Sequence, residues 1–202
     1  MSIGKDKRNF NRREFISASA TAAAAAALGV GAARSFAAEN IAVNSLPGTV
    51  FGRTGFEVTR VAFGGILVTE PPVLMRAIDA GINLIHVSPG YQNGRAIECF
   101  GEVMKTRRDK VKLALKVMPD EALDDGLRKL NTDYVEIVIP PIDKISTLRS
   151  PELREQFDAA KAAGKCGHMG FACHTQKAEI IDTAVEMGYF AVSYTHLTLP
   201  TN

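Results

Sequence analysis

A phenol, an ammonium and an imidazole stand at points of this chain from which they could move protons. Tyr91 comes just beyond the apolar stretch Asn83-Leu-Ile-His-Val-Ser-Pro-Gly-Tyr91, which breaks at Pro89-Gly90. In β/α enzymes the reacting groups sit on loops that leave the carboxyl ends of strands, so a strand, a turn and a tyrosine form a place where chemistry can be built. Lys116 stands near the end of a second apolar run, Val111–Val117. Each has a plain structural reading too: Tyr91 as an exposed turn aromatic, Lys116 as a charge held in solvent on an apolar stem. His86, inside the first run, reads by itself either as a buried histidine with its hydrogen bonds made or as a proton-transfer group.

Cys166, His168, Cys173 and His174 cluster in sequence. A metal would need them to converge, but Cys166 and Cys173 fall on opposite faces of an extended strand, and no metal site is expected there without ligands from elsewhere. Three cysteines, Cys99 included, make an odd set with no close paired motif and read as small buried hydrophobes.

The elements that must position these groups follow in a regular order. Thr49 to Val61 reads as a hairpin turning at Arg53-Thr-Gly55, and Arg60–Phe63 as a first strand that stops at Gly64-Gly65. A helix opens near Pro72, with Val73, Ala77 and Ile78 on its buried stripe, and runs to Gly81. The strand ending at Tyr91 comes next. Helix 95–105 then leads to strand 111–117, helix 121–130 to strand 134–139, helix 151–163 to strand 166–173, and helix 176–187 to a last strand, Tyr189-Phe190-Ala191. Strict β-α alternation predicts a parallel α/β sheet, doubly wound or closed as a barrel. No G-x-G-x-x-G loop follows the first strand, which removes the main support for a dinucleotide-binding doubly wound fold. The leading hairpin favours a barrel capped at one end. A (β/α)8 barrel takes eight strands in roughly 250 residues, and about six are legible here.

The 202 residues are 46% hydrophobic and 23% charged, an ordinary globular balance. The net charge of +2 comes from the first residues: without Lys5, Lys7, Arg8, Arg12, Arg13 and Arg34, set against Asp6 and Glu14, the remainder is slightly acidic. A nucleic-acid or anionic-membrane partner would want a basic face, and none is expected. Residues 1–37 read as an export signal. Basic residues precede an uncharged run from Ser17 to Ala33, and Ser35-Phe36-Ala37 offers a cleavage site before Ala38. Asn11-Arg12-Arg13-Glu14-Phe15-Ile16 resembles the twin-arginine motif, which implies the twin-arginine export machinery as a partner, a periplasmic destination and no stable membrane span. Residues 38–48 are a linker, and 49–191 the folded part. Val192–Asn202 resembles the in-frame translation of a transposase-type sequencing-library adapter, so the biological sequence is expected to end near Ala191, with 192–202 a non-biological tail.

Three segments together resemble the aldo/keto reductase family. They are Phe51-Gly-Arg-Thr-Gly-Phe-Glu-Val-Thr-Arg-Val-Ala-Phe-Gly-Gly65, then Ala80-Gly-Ile-Asn-Leu-Ile-His-Val-Ser-Pro-Gly-Tyr-Gln-Asn-Gly-Arg-Ala-Ile-Glu-Cys-Phe-Gly-Glu102, then Arg108–Val117 followed by Leu127–Glu136. The resemblance implies a (β/α)8 barrel that uses NADP or NAD to interconvert carbonyl and alcohol. By position, Tyr91 is the proton donor and Lys116 the cation that lowers its pKa, which a phenol with an ordinary pKa near 10 needs in order to work at neutral pH. The family's aspartate falls on His86 and its histidine on Pro141, which has no side-chain donor or acceptor. Cys173 and His174 stand where the family contacts the nicotinamide amide. Most of the phosphate and adenosine contacts belong to strands beyond Ala191. Two functions follow as expectations: an oxidoreductase acting on a small carbonyl or alcohol through Tyr91 and Lys116 with an altered tetrad, or a barrel that keeps the fold and binds a ligand or partner without catalysis.

Overall fold

The computed structural model describes residues 46–195. The expected signal 1–37, most of the linker 38–48, and residues 196–202 lie outside the described residues.

The hairpin forms as expected. β1 (Gly48–Val50) and β2 (Glu57–Thr59) pair antiparallel with Thr49 opposite Val58. Six parallel strands follow: β3 (Phe63–Gly64), β4 (Leu84–Val87), β5 (Lys112–Leu115), β6 (Val135–Val138), β7 (Cys166–Cys173) and β8 (Val192–Thr195). Their order in the sheet is their order in the chain. A doubly wound sheet would reverse its direction partway, so an unreversed order with helical crossovers is the winding of a (β/α) barrel. The crossovers are α1 (Pro71–Asp79), α2 (Arg95–Arg107), α3 (Glu121–Lys129), the short α4 (Ile145–Leu148) with α5 (Pro151–Ala162), and α6 (Lys177–Met187). Local signals start them. Pro71 and Pro72 occupy the first turn of α1, the Asp120 carboxylate accepts from Ala122 N at 2.9 Å ahead of α3, and Ser150 Oγ accepts from Leu153 N at 3.4 Å ahead of Pro151 in α5.

Two apolar clusters lie on the two faces of the sheet. The first joins Ile85, Val87, Leu113, Leu115 and Val138 to helix residues such as Leu74, Ile97, Phe100, Leu127 and Phe157. The second gathers Leu84, Ala114, Ile137, Ile139, Ala172 and Val192 with Phe56 and Val58 of the hairpin. Successive strand residues thus go to opposite clusters, as the pleat requires. The hairpin closes the amino ends of the strands: Asn83 Oδ1 accepts from Thr59 N at 2.8 Å, and Asn83 Nδ2 donates to Glu57 O at 3.1 Å. The carboxyl ends are left for the site.

Three local expectations shift and one short helix is added. Val73 is exposed, and the buried stripe of α1 is Leu74 and Ile78, one turn apart on the face packed into the helix-side cluster. The first strand is Phe63–Gly64 and not Arg60–Phe63, since its register is set by β4, with Gly64 opposite His86. The helix α4 carries no strong capping signal, and its N-cap residue, Lys144, makes no side-chain cap. The last strand is Val192–Thr195, with Gly170 opposite Val192, and falls within the stretch that resembles an adapter. Val-Ser-Tyr-Thr suits a strand by composition. Tyr189 and Phe190 turn instead to Phe157, at 5.7 Å, and Phe171, at 5.3 Å between centroids.

Candidate active site

The expected site residues gather at the carboxyl ends of neighbouring strands. Tyr91 opens a 3-10 turn, Tyr91–Gly94, directly after β4, and its N–H donates to Ser88 O at 3.1 Å. Three successive residues of that turn have positive φ: Gln92 at 51°, Asn93 at 54° and Gly94 at 90°. Asparagine and glycine accept this conformation readily and glutamine less so, which marks the turn as a held geometry. Gln92 Nε2 donates to Ile66 O at 3.1 Å and ties the turn to the loop after β3. The backbone of that loop needs a glycine: a Cβ on Gly65 would meet the Phe100 ring at 2.7 Å and His86 O at 2.9 Å. Tyr91 itself is half-buried, and burial, then the nearby Tyr194 hydroxyl, push its pKa up from the ordinary phenol value.

Lys116 follows β5 and is bound to the end of β4 by its backbone. Its N–H donates to Val87 O at 2.9 Å, and Ser88 Oγ donates to its carbonyl at 3.0 Å. Its side chain goes elsewhere. Lys116 Nζ lies 3.3 Å from His174 Nε2, across the end of β6. Among the described residues no hydrogen bond joins Lys116 to Tyr91. The lowering of the Tyr91 pKa by Lys116 that the resemblance implies is thus not formed in this arrangement.

His174 is exposed at the end of β7, on a loop that Asp143 holds. Asp143 Oδ1 accepts from His174 N at 2.6 Å and from Thr175 N at 3.1 Å, and Thr175 Oγ1 donates to Asp143 O at 3.0 Å. The bond from the His174 N–H, more than any other influence, holds the Asp143 carboxyl below the ordinary range. Asp143 is the site residue that the sequence did not point to. The only local signal is a carboxylate after the Ile139-Pro-Pro-Ile turn, and its partners lie 31 and 32 residues on.

The other candidates separate. His86 is buried on the concave face, its ring stacked on Tyr194 with centroids 4.5 Å apart and edge-on to Tyr91 at 5.9 Å. Cys173 is buried in the helix-side cluster, where burial and then Asp143 raise its thiol pKa, and its side chain does not reach the mouth. Pro141 is exposed and bridges Ala172, and it carries β6 out to the mouth without a polar side chain. His168 packs edge-on against Phe56 at 5.1 Å, far along the strand from His174. Among the described residues no three His, Cys, Asp or Glu side chains converge as metal ligands, and no helix is long and apolar enough to cross a membrane. Clefts of about 240 and 370 Å³ lie against the helices α4 and α5, the second also lined by Met118 and Asp120 of the loop after β5.

Of the two residues expected to meet a nicotinamide amide, His174 is exposed at the mouth with a polar ring suited to that amide, and the Cys173 side chain is buried.

The model of the aldo/keto reductase family matches residues 69–197. The chain is 27% identical over 149 residues to Aldo-keto reductase YhdN of Bacillus subtilis, covering 56% of this chain and 44% of that protein. It is 34% identical over 79 residues to Methylglyoxal reductase YeaE of Escherichia coli, covering 35% of this chain and 28% of that one. It thus spans less than half the length of these curated relatives. The aldo-keto reductase from Klebsiella pneumoniae solved in complex with NADPH superimposes with a TM-score of 0.62 at 23% identity, over 72% of this chain and 56% of that one. With Tyr91 and Lys116 at the ends of adjacent strands of the same winding, the chain belongs to the aldo/keto reductase family.

Proposed function

We propose that the protein is an NAD(P)-linked oxidoreductase that interconverts a small carbonyl compound and its alcohol at the mouth formed by Tyr91, Lys116 and His174. The observation that carries this is the family match together with Tyr91 and Lys116 on adjacent strand ends. A reduced nicotinamide, when bound, supplies the hydride. Tyr91 Oη donates to the carbonyl oxygen and gives up its proton as that oxygen gains charge; solvent restores it. The phenol carries its proton at neutral pH, and a bound substrate oxygen that gains charge is what draws that proton off, against the upward push of burial. His174 and the Cys173 backbone orient the nicotinamide amide, and NADPH, which the Klebsiella relative binds, is the first cofactor to try. With the protein made from its complete gene, NADPH oxidation is expected with at least one member of a carbonyl panel. Tyr91→Phe should lower turnover about 10²- to 10⁴-fold. Unchanged turnover in that variant removes the mechanism.

A second reading, a non-catalytic homologue that binds a ligand or partner, is favoured by Pro141 and by the turn of Lys116 toward His174. Failure to bind NADPH would support it.

Two further parts of the reading rest on sequence. Arg12-Arg13 ahead of the uncharged run supports twin-arginine export of the folded chain, cut before Ala38. Cell fractionation with Arg12 and Arg13 changed to lysine tests it, and an undiminished periplasmic pool counts against it. The adapter-like text of 192–202 supports a non-biological tail, and a tail that persists on re-sequencing with another library chemistry rules that out.

A further inference from the structure

We propose that His174 is a catalytic hydrogen-bond donor of this site: Lys116 fixes its tautomer from one side, and its other ring nitrogen donates to the substrate oxygen. The proposal rests on the reductase reading above.

Reduction of a carbonyl places negative charge on its oxygen, and a site gains most from fixed donors aimed at that atom. Tyr91 is one donor. Pro140 and Pro141, which directly follow the strand between Lys116 and His174, have neither side-chain donors nor N–H groups. The imidazole of His174 comes from the next strand, β7, and reaches back over that end to Lys116 Nζ at 3.3 Å. An ammonium has hydrogens to donate and no lone pair, so the contact requires Nε2 to accept. A neutral imidazole that accepts at one nitrogen carries its proton on the other. Nδ1 is therefore the N–H, and it has no partner among the described residues. The ring is exposed, yet its position is set by the backbone. Asp143 takes the His174 and Thr175 amides at 2.6 and 3.1 Å, and β7 is paired to β6. A donor held by a second residue and mounted at a strand end is the kind of group whose removal costs rate.

The geometry makes Lys116 a positioning residue for His174 as well as a neighbour of Tyr91. It also separates the two roles open to His174. A contact to the nicotinamide amide alone would set cofactor affinity, whereas a donor to the substrate oxygen sets turnover.

The experiment uses the protein made from its complete gene and has two arms. In the first, imidazole ¹⁵N shifts of His174 are read in the wild type and in Lys116→Met. The wild type should show unprotonated Nε2 and protonated Nδ1, and the variant should relax toward the Nε2–H tautomer. An unchanged tautomer overturns the pairing. In the second, kcat and the NADPH Kd, from nicotinamide fluorescence, are measured separately. His174→Ala should lower kcat about 100-fold, as loss of one preorganised donor does, and by a larger factor than it weakens the Kd. His174→Asn, which keeps an N–H, should recover part of it. A weakened Kd with unchanged kcat overturns the donor role and leaves His174 as a nicotinamide contact. A wild-type protein that reduces no carbonyl sinks the reductase reading and the donor role with it, while the first arm still decides the pairing.

Discussion

Asp143 shows how one exposed carboxylate sets the position of a site. It holds two consecutive amides of the β7–α6 loop, and the loop presents His174 to Lys116. Because those N–H groups bond to the ionised form, its pKa lies below the ordinary value near 3.9. The sign follows from that direction. The stabilisation is whole above the unfolded pKa and is lost as pH falls through the lower folded one. Acid titration followed by the His174 amide proton shift should therefore have its midpoint below the ordinary carboxylate range. A midpoint at or above that range means the carboxylate does not hold the loop. Asp143→Asn should leave the loop amides with a weaker acceptor and remove the titration.

Among elements, the join between α2, β5 and β6 depends on a nearly buried ion pair. Arg108 Nη2 reaches Glu136 Oε2 at 2.9 Å, the same oxygen accepts from Leu113 N at 2.8 Å, and the guanidinium stacks 4.0 Å from the Tyr134 ring centroid. The exposed pairs Lys105–Glu102 and Arg149–Glu186 add little, because water screens them. Removing Glu136 leaves the Leu113 amide without its acceptor and the guanidinium without its counter-charge, with only the Val111 and Tyr134 carbonyls and the Thr132 hydroxyl still accepting from it. Glu136→Ala should cost about 3–5 kcal/mol in urea unfolding, and Glu136→Gln less, since the amide oxygen can still accept from Leu113. Equal losses in the two variants would mean that the charge, and not the acceptor, governs this join.

At the level of the whole molecule, the sheet-and-helix packing buries groups that can ionise only at a cost. Cys166 is fully buried and its thiol is pushed up to about 12, chiefly by desolvation. Tyr189 is raised by burial and by Asp158. Above the ordinary thiol value near 8.5 the unfolded chain releases a proton that the folded chain keeps, so stability falls as pH rises from there toward 12. Denaturant midpoints from pH 8 to 11 should decline, and decline less steeply in Cys166→Ala, with Tyr189 leaving a remainder. Parallel curves for the two proteins would exclude Cys166 as a source of the alkaline loss.

The same division by scale separates what the chain text made legible from what folding decided. The sequence by itself determined the β-α alternation, the leading hairpin and most helix limits, because these depend on apolar periodicity and on Pro, Gly, Ser and Asp at element ends, and the strand order then decided the barrel winding. It also placed Tyr91 and Lys116 at strand ends, since each ends or follows its own apolar run. Only the tertiary structure decided their partners. Lys116 meets His174 from 58 residues away, Asp143 holds the loop 31 residues on, and His86 lies between Tyr91 and Tyr194. It likewise turned Cys173 into the helix-side core while leaving His174 at the mouth, and moved the last strand on to Val192–Thr195. The reason is physical: side-chain partners across a parallel sheet depend on strand register and on which face the pleat presents, and both are fixed by contacts between distant segments.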